Sequence, residues 1–299
     1  MRTLLKPVDR LSLGFIALLA SITLFSLHKI PDWKWLLSRY VLLSLSVVAL
    51  AFYYKKAKSW KPARYLYIYS PAILVLVIFD SLGDLIPPLW DHYFDDVLIR
   101  IDYAMFGVHP TVWFERFIHP AFTSILQLAY ITYYPMAITL ATVLLMRKKY
   151  PEFDESVFGV ILCFYLSYLG YILVPAVGPR FTLTAVQTAG LQADSLTRAI
   201  QETLNVLEHN KTDAFPSGHT AIALVTLFYA WKSGEKTLGM VLIPAVFGLI
   251  FSTVYLRYHY VIDVIAGILL AAGTIVAAPA IHRIFSFRIR PADAGEAEG

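Results

Sequence analysis

Eight apolar runs in this chain each approach the ~20 residues that an α-helix needs to cross about 30 Å of hydrocarbon. They fall at approximately 11–28, 36–54, 65–86, 121–146, 156–176, 216–232, 238–257 and 259–282. Only 15% of the residues are charged and 58% are hydrophobic, against about 25% and 45–50% in soluble domains. The expected fold is an all-α, polytopic membrane bundle of about eight transmembrane helices. Pro71, Pro135 and Pro244 lie inside segments, where membrane helices tolerate them.

The net charge of +4 does not gather into one basic patch, so a nucleic-acid partner is not expected. Lys and Arg come in short clusters between apolar runs, such as Lys55-Lys56-Ala57-Lys58 and Arg147-Lys148-Lys149. With eight passes, both termini share a side with the loops at 55–64, 147–155 and 233–237. Most of the basic residues lie there, so that side is expected to be cytoplasmic. The opposite loops carry Asp91, Asp95, Asp96, Asp102 and Glu115. Arg2, Lys6 and Arg10 ahead of Leu11 to Leu27 resemble a signal peptide, but the run is long and no small-x-small site follows. It reads as a retained first helix. Cys163, the single cysteine, sits in an apolar run and reads as packing. Residues 87–120 suit amphipathic pieces at headgroup level. Residues 191–207 suit an interfacial helix, with Leu196, Ala199, Ile200, Thr203, Leu204 and Leu207 near helical spacing. The tail 291–299 is expected to be disordered.

Two ionisable motifs break the apolar pattern. The first is Phe215-Pro216-Ser217-Gly218-His219-Thr220, and the second is Tyr258-His259-Tyr260-Val261-Ile262-Asp263. Ionisable groups at membrane depth or its edge are expensive and read as functional. Pro216 and Ser217 mark a helix start, whose amides and dipole suit a phosphate oxygen. Gly218 would let that backbone approach closely, and His219 would stand in the first turn. His259 and Asp263, four apart, would share a helix face. The carboxylate could then fix the imidazole tautomer and leave the other nitrogen free to attack. Arg180 and Arg257 lie at the same outer edge, and guanidinium groups hold phosphate bidentately. Asp213 could contact a substrate hydroxyl or cap the turn. Asp80 and Asp84 read as an interfacial edge rather than a cation site.

These residues resemble the phosphatidic acid phosphatase type 2 superfamily over about residues 90–282. Its second motif is matched fully by Pro216-Ser217-Gly218-His219. Its third is matched at Ser252, His259 and Asp263, with Thr253 where the family usually has Arg. Its first is poorer, because Leu173 occupies the Lys position and Arg180 is followed by Phe181. The Gly-Pro-Arg form, with the stretch Leu98 to Phe117, is more similar to the aureobasidin-resistance, inositol phosphorylceramide synthase-like branch.

The resemblance implies a six-helix catalytic core at 65–290, with the two helices of 1–64 as an addition. It implies that His259 is the nucleophile forming a phosphohistidine, that Asp263 orients it, and that His219 protonates the leaving alkoxide. Arg180, Ser217, Gly218 and Arg257 would hold the phosphoryl oxygens, Arg257 standing in for the motif arginine. No metal or cofactor is implied. The substrate would be a lipid phosphate arriving from the bilayer at an extracytoplasmic site in the cell membrane. Hydrolysis of a lipid phosphomonoester or pyrophosphate is the leading expectation. The alternatives are head-group transfer to a polyol or inositol acceptor, and a non-catalytic lipid-binding or transport protein. A vanadate-type peroxidase shares the histidine chemistry, but its soluble domain disagrees with this hydropathy.

Overall fold

In the computed structural model the described residues are 4–56, 61–191, 194, 197, 199, 203 and 209–286. Among them the chain is helical, with no strand. The long elements are α1 (Pro7–Phe25), α2 (Trp33–Lys56) and α3 (Lys61–Leu89). An amphipathic stretch follows, with α4 (Asp95–Phe106), the single turn α5 (Pro110–Trp113) and a 3-10 turn at Phe114–Phe117. Then come α6 (Pro120–Ile131), α7 (Tyr133–Met146), α8 (Tyr150–Leu173), the short α9 (Pro179–Thr182), α10 (Gly218–Lys232), α11 (Lys236–Tyr255) and α12 (Val261–Ser286).

Six of these helices are individually long and apolar enough to cross a membrane, and α6 with α7 makes a seventh span bent by 42°. The bend has a local cause. Pro135 has no N–H to give the carbonyl of Ile131, and its ring crowds that carbonyl. The segment expected at 216–232 is the shortest. Its helix has 15 residues, because Pro216 and Ser217 form the turn before it. It is nevertheless the centre of the bundle, packed between α7, α8, α11 and α12. The last helix begins at Val261, so His259 precedes it. The proposed interfacial helix at 191–207 lies largely outside the described residues, and the tail 291–299 lies wholly outside them.

Two large apolar clusters fill the bundle. One joins α1, α2 and α3 to α8, through Leu19, Leu36, Ile78, Leu82 and Phe158. The other joins α7, α8, α10 and α11, through Leu140, Cys163, Val225 and Leu249. Cys163 is fully buried there, as its apolar run suggests. The outer faces stay apolar: Leu42, Leu45 and Phe52 of α2 are about 60% exposed, which suits contact with lipid tails.

At one end of the bundle, α8 stops, α10 starts, α11 stops and α12 starts. Here α4 lies across the chain and supplies two buried carboxylates. Asp95 accepts the N–H groups of Val177 (3.0 Å) and Gly178 (2.8 Å) and the hydroxyl of Tyr260 (2.8 Å). Asp102 accepts the N–H groups of Val261 (2.8 Å) and Ile262 (2.9 Å), the first two of α12. A helix start leaves those donors without intrahelical partners, so α4 caps α12 from outside. This end holds every candidate site residue.

Candidate active site

Ser217 begins the site. It is the N-cap of α10, and its hydroxyl oxygen accepts the N–H of Thr220 at 3.3 Å, the capping pattern expected of serine. Its hydroxyl donates to Thr220 Oγ1 (3.0 Å) and its N–H to the Asp263 carbonyl (2.9 Å). The turn is held by close approach of two other helices. A Cβ on Gly170 of α8 would lie 2.2 Å from Pro216, and one on Gly267 of α12 would lie 2.5 Å from the Ser217 carbonyl. Gly218 meets the Tyr171 hydroxyl, 2.2 Å from where its Cβ would be. Ser217 is fully buried with its polar atoms used by the fold, and Gly218 is needed for packing.

His219, at the second position of α10, points at His259: Nδ1 of the first and Nε2 of the second are 3.3 Å apart. His259 is buried, between a small apolar cluster containing Ala214 and Tyr260 and another containing Tyr130 and Tyr258. Its Nδ1 lies 2.7 Å from the carbonyl oxygen of Ala214. A carbonyl only accepts, so Nδ1 carries the proton, and in the neutral ring Nε2 carries the lone pair. The expected partner for that proton was Asp263. Its Oδ2 stands 3.5 Å from Nδ1, beyond a good hydrogen bond, and accepts the Tyr260 N–H at 2.8 Å instead. Asp263 is thus the third residue of α12 reaching back to the cap amide, half of a capping box. Its carboxyl group still faces the imidazole, while a main-chain group sets the tautomer. The reason is that His259 stands ahead of α12, not on its face.

Arg180 follows Gly178, whose φ of 90° and 2.6 Å approach of a would-be Cβ to the Tyr258 carbonyl exclude a side chain. The Arg180 N–H donates to the Arg257 carbonyl (3.0 Å). Its guanidinium lies over the ring of Tyr258, 4.9 Å from the centroid. Its charge is close enough to act on His219. Arg180, Gln187, Lys211 and Arg257 line a cavity of ≈ 360 Å³, together with Phe181, Leu191 and Leu256.

Arg257 departs from the sequence expectation. Its backbone is left-handed (φ 65°), so its side chain does not continue the α11 face that carries Thr253. Nη2 donates to Glu115 (2.9 Å) and to the Ala189 carbonyl (2.6 Å), and Nη1 donates to Gln187 (3.0 Å). Both members of the Arg257–Glu115 pair are 9% exposed at the side chain. Burial pulls the guanidinium below its usual pKa, with Glu115 opposing. Burial also works against the Glu115 carboxylate, but hydrogen bonds from Thr188 and the charge of Arg257 outweigh it and hold that carboxyl below its usual range. Arg257 is thus bonded to Glu115, Gln187 and Ala189 in the wall of the cavity that Arg180 also lines. Thr253 itself turns the chain, its carbonyl accepting the N–H groups of Tyr258 and His259.

Asp213 is half-buried near Tyr168 and Tyr171, and the cap of α10 is Ser217 rather than Asp213. Asp80 is bound by Arg39 (2.6 Å) and Asp84 by His209 (3.0 Å). No group of three metal-ligating side chains occurs among the described residues. Five participants escape the sequence reading. Asp95 and Asp102 tie α4 to the loops of Arg180 and His259. Burial and the charge of Asp95 push the Tyr260 phenol far above its usual pKa, so it stays a fixed donor. Glu115 neutralises Arg257. Tyr130 places its hydroxyl 2.9 Å from Nε2 of His219.

The comparisons agree with this geometry. No curated protein and no solved structure matches the chain. The family model described as the PAP2 superfamily matches residues 96–277, more than half of it, including both histidines, Asp263 and Arg180. The chain belongs to the PAP2 superfamily.

Proposed function

We infer that this chain is a multi-pass membrane enzyme that hydrolyses a lipid phosphomonoester or pyrophosphate through a phosphohistidine on His259. Superfamily membership supports a phosphatase- or phosphotransferase-like lipid enzyme in general. The observation that carries the finer reading is the proton placement on His259. With Nδ1–H held on Ala214, the Nε2 lone pair of His259 faces the second imidazole, that of His219. A phosphoryl group entering between the rings would be attacked by Nε2 of His259, and Nδ1 of His219 would protonate the departing oxygen. Arg180 is the cation placed to hold the phosphoryl oxygens. The basic ends of α1, α7 and α10 lie opposite the site, which supports an extracytoplasmic position.

The test is phosphate release from a panel of lipid monophosphates and pyrophosphates by purified protein in detergent. His259→Ala should lower turnover by on the order of 10⁴-fold or more, and alkaline quenching of the wild type should trap an alkali-stable, acid-labile phosphohistidine. Equal turnover in wild type and variant would end this reading. A second reading, transfer to a polyol, is favoured by the ≈ 360 Å³ cavity beside Arg180, with Gln187 and Lys211 on its wall. It predicts product bearing an added polyol or inositol.

A further inference from the structure

The geometry points to Tyr130 as a positioning residue that selects which nitrogen of His219 exchanges protons with the substrate. This rests on the reading of His219 as general acid. The bend between α6 and α7 brings Tyr130 and Tyr133 to the same ring, with Tyr133's centroid 4.5 Å and Tyr130's 4.8 Å from that of His219. Of the two phenols, Tyr130 bonds the ring, at Nε2 and 2.9 Å. Tyr130 is buried, and its own ring is stacked on Tyr258 at 4.5 Å and 13°. The guanidinium of Arg180 lies over that same Tyr258. One column of side chains therefore connects the acid, the loop of the nucleophile and the phosphate-facing arginine.

The proton positions follow from the fixed end of the chain of bonds. Ala214 only accepts, so Nε2 of His259 is an acceptor and Nδ1 of the neutral His219 must donate to it. That leaves Nε2 of His219 as the acceptor for the Tyr130 hydroxyl. A phenol both donates and accepts, so the contact survives protonation. As an imidazolium, His219 gives Nε2–H to the phenol oxygen and keeps Nδ1–H for the substrate. In the transfer step the His259 Nε2–P bond forms and the P–O bond breaks. The Nδ1 proton passes to the departing oxygen, and His219 is left neutral, its Nε2–H still donated to the Tyr130 oxygen. The charged and titratable groups facing His219 are Arg180, His259, Tyr130 and Tyr133.

Tyr130→Phe keeps the ring on Tyr258 and removes the hydroxyl. It is compared with wild type by kcat/KM on a lipid alkyl phosphate and on 4-nitrophenyl phosphate. General acid catalysis supplies roughly 10²–10⁴-fold, so the alkyl ester should lose about tenfold or more. The nitrophenyl ester, whose leaving group needs no proton, should lose less than about twofold. Equal losses on both esters, or none on either, would overturn the assignment. If wild type turns over neither ester, the hydrolase reading fails while ¹⁵N shifts of the His219 ring still decide this one. A change in the Nε2 signal in Tyr130→Phe supports it, and identical spectra sink it.

Discussion

The two ends of the bundle use carboxylates in opposite ways. At the site end, Asp95, Asp102 and Asp263 are buried and accept main-chain N–H groups. At the far end Asp9 also caps a main-chain N–H, that of Lys6, but the other paired acids meet long basic side chains: Lys6 with Asp154, Lys232 with Glu155, and both Arg147 and Lys149 with Glu235. Four cations there are between 32% and 60% exposed. A carboxylate on backbone amides fixes a loop in space. A pair of long side chains only balances charge and is screened by water and salt. Rigidity is therefore concentrated where the two imidazoles must meet.

That contrast breaks first at the cavity wall. Arg257→Ala leaves Glu115 nearly buried without its cation, and stability in detergent should fall by about 3 kcal/mol. Arg180→Ala should instead lower turnover with little change in melting temperature, so a stable but inactive Arg257→Ala would restore Arg257 as a phosphate ligand. Acid tests the same pair. The folded pKa of Glu115 is depressed, so its contribution is present above the ordinary carboxylate value of about 4.3. It is lost as pH falls through the depressed value. The acid limb of wild-type melting should flatten in Arg257→Ala.

Asp102→Ala comes next. It removes the acceptor for two amides at the start of α12, and hydrogen bonds to a charged group are each worth about 1.5–3 kcal/mol. A loss of about 3 kcal/mol or more with a fall in kcat is expected, measured by melting and turnover together. Unchanged kcat would mean that α4 braces the bundle without placing His259. The smallest effect belongs to the far end. Lys232→Ala should stay within about 0.5 kcal/mol of wild type and leave activity alone; a larger loss would erase the distinction between the ends.

What could be read in the sequence follows the range of the interactions. The eight apolar runs all contain helices, because hydropathy is a property of the run itself. Pro216-Ser217 marked a helix start from local chemistry alone. The bend at Thr132 was less visible, since the apolar run is continuous through Pro135 and only the lost amide divides it. Asp95, Asp102 and Glu115 read only as acids in an outward loop, because their partners lie some 70 to 165 residues away. Tyr130 looked like one more aromatic in an apolar helix. Arg257 was read on helical spacing from Thr253, whereas α11 ends at Tyr255.

The carbonyl of Ala214 has a consequence of its own. An acceptor supplied by the main chain cannot be deleted by any side-chain replacement, so the ring of His259 is insulated from most single-residue change. It is also geared to the strand of chain that carries it. Lys211, three residues earlier, stands in the wall of the cavity beside the site. Whatever fills that cavity lies against the same short segment that aims the imidazole.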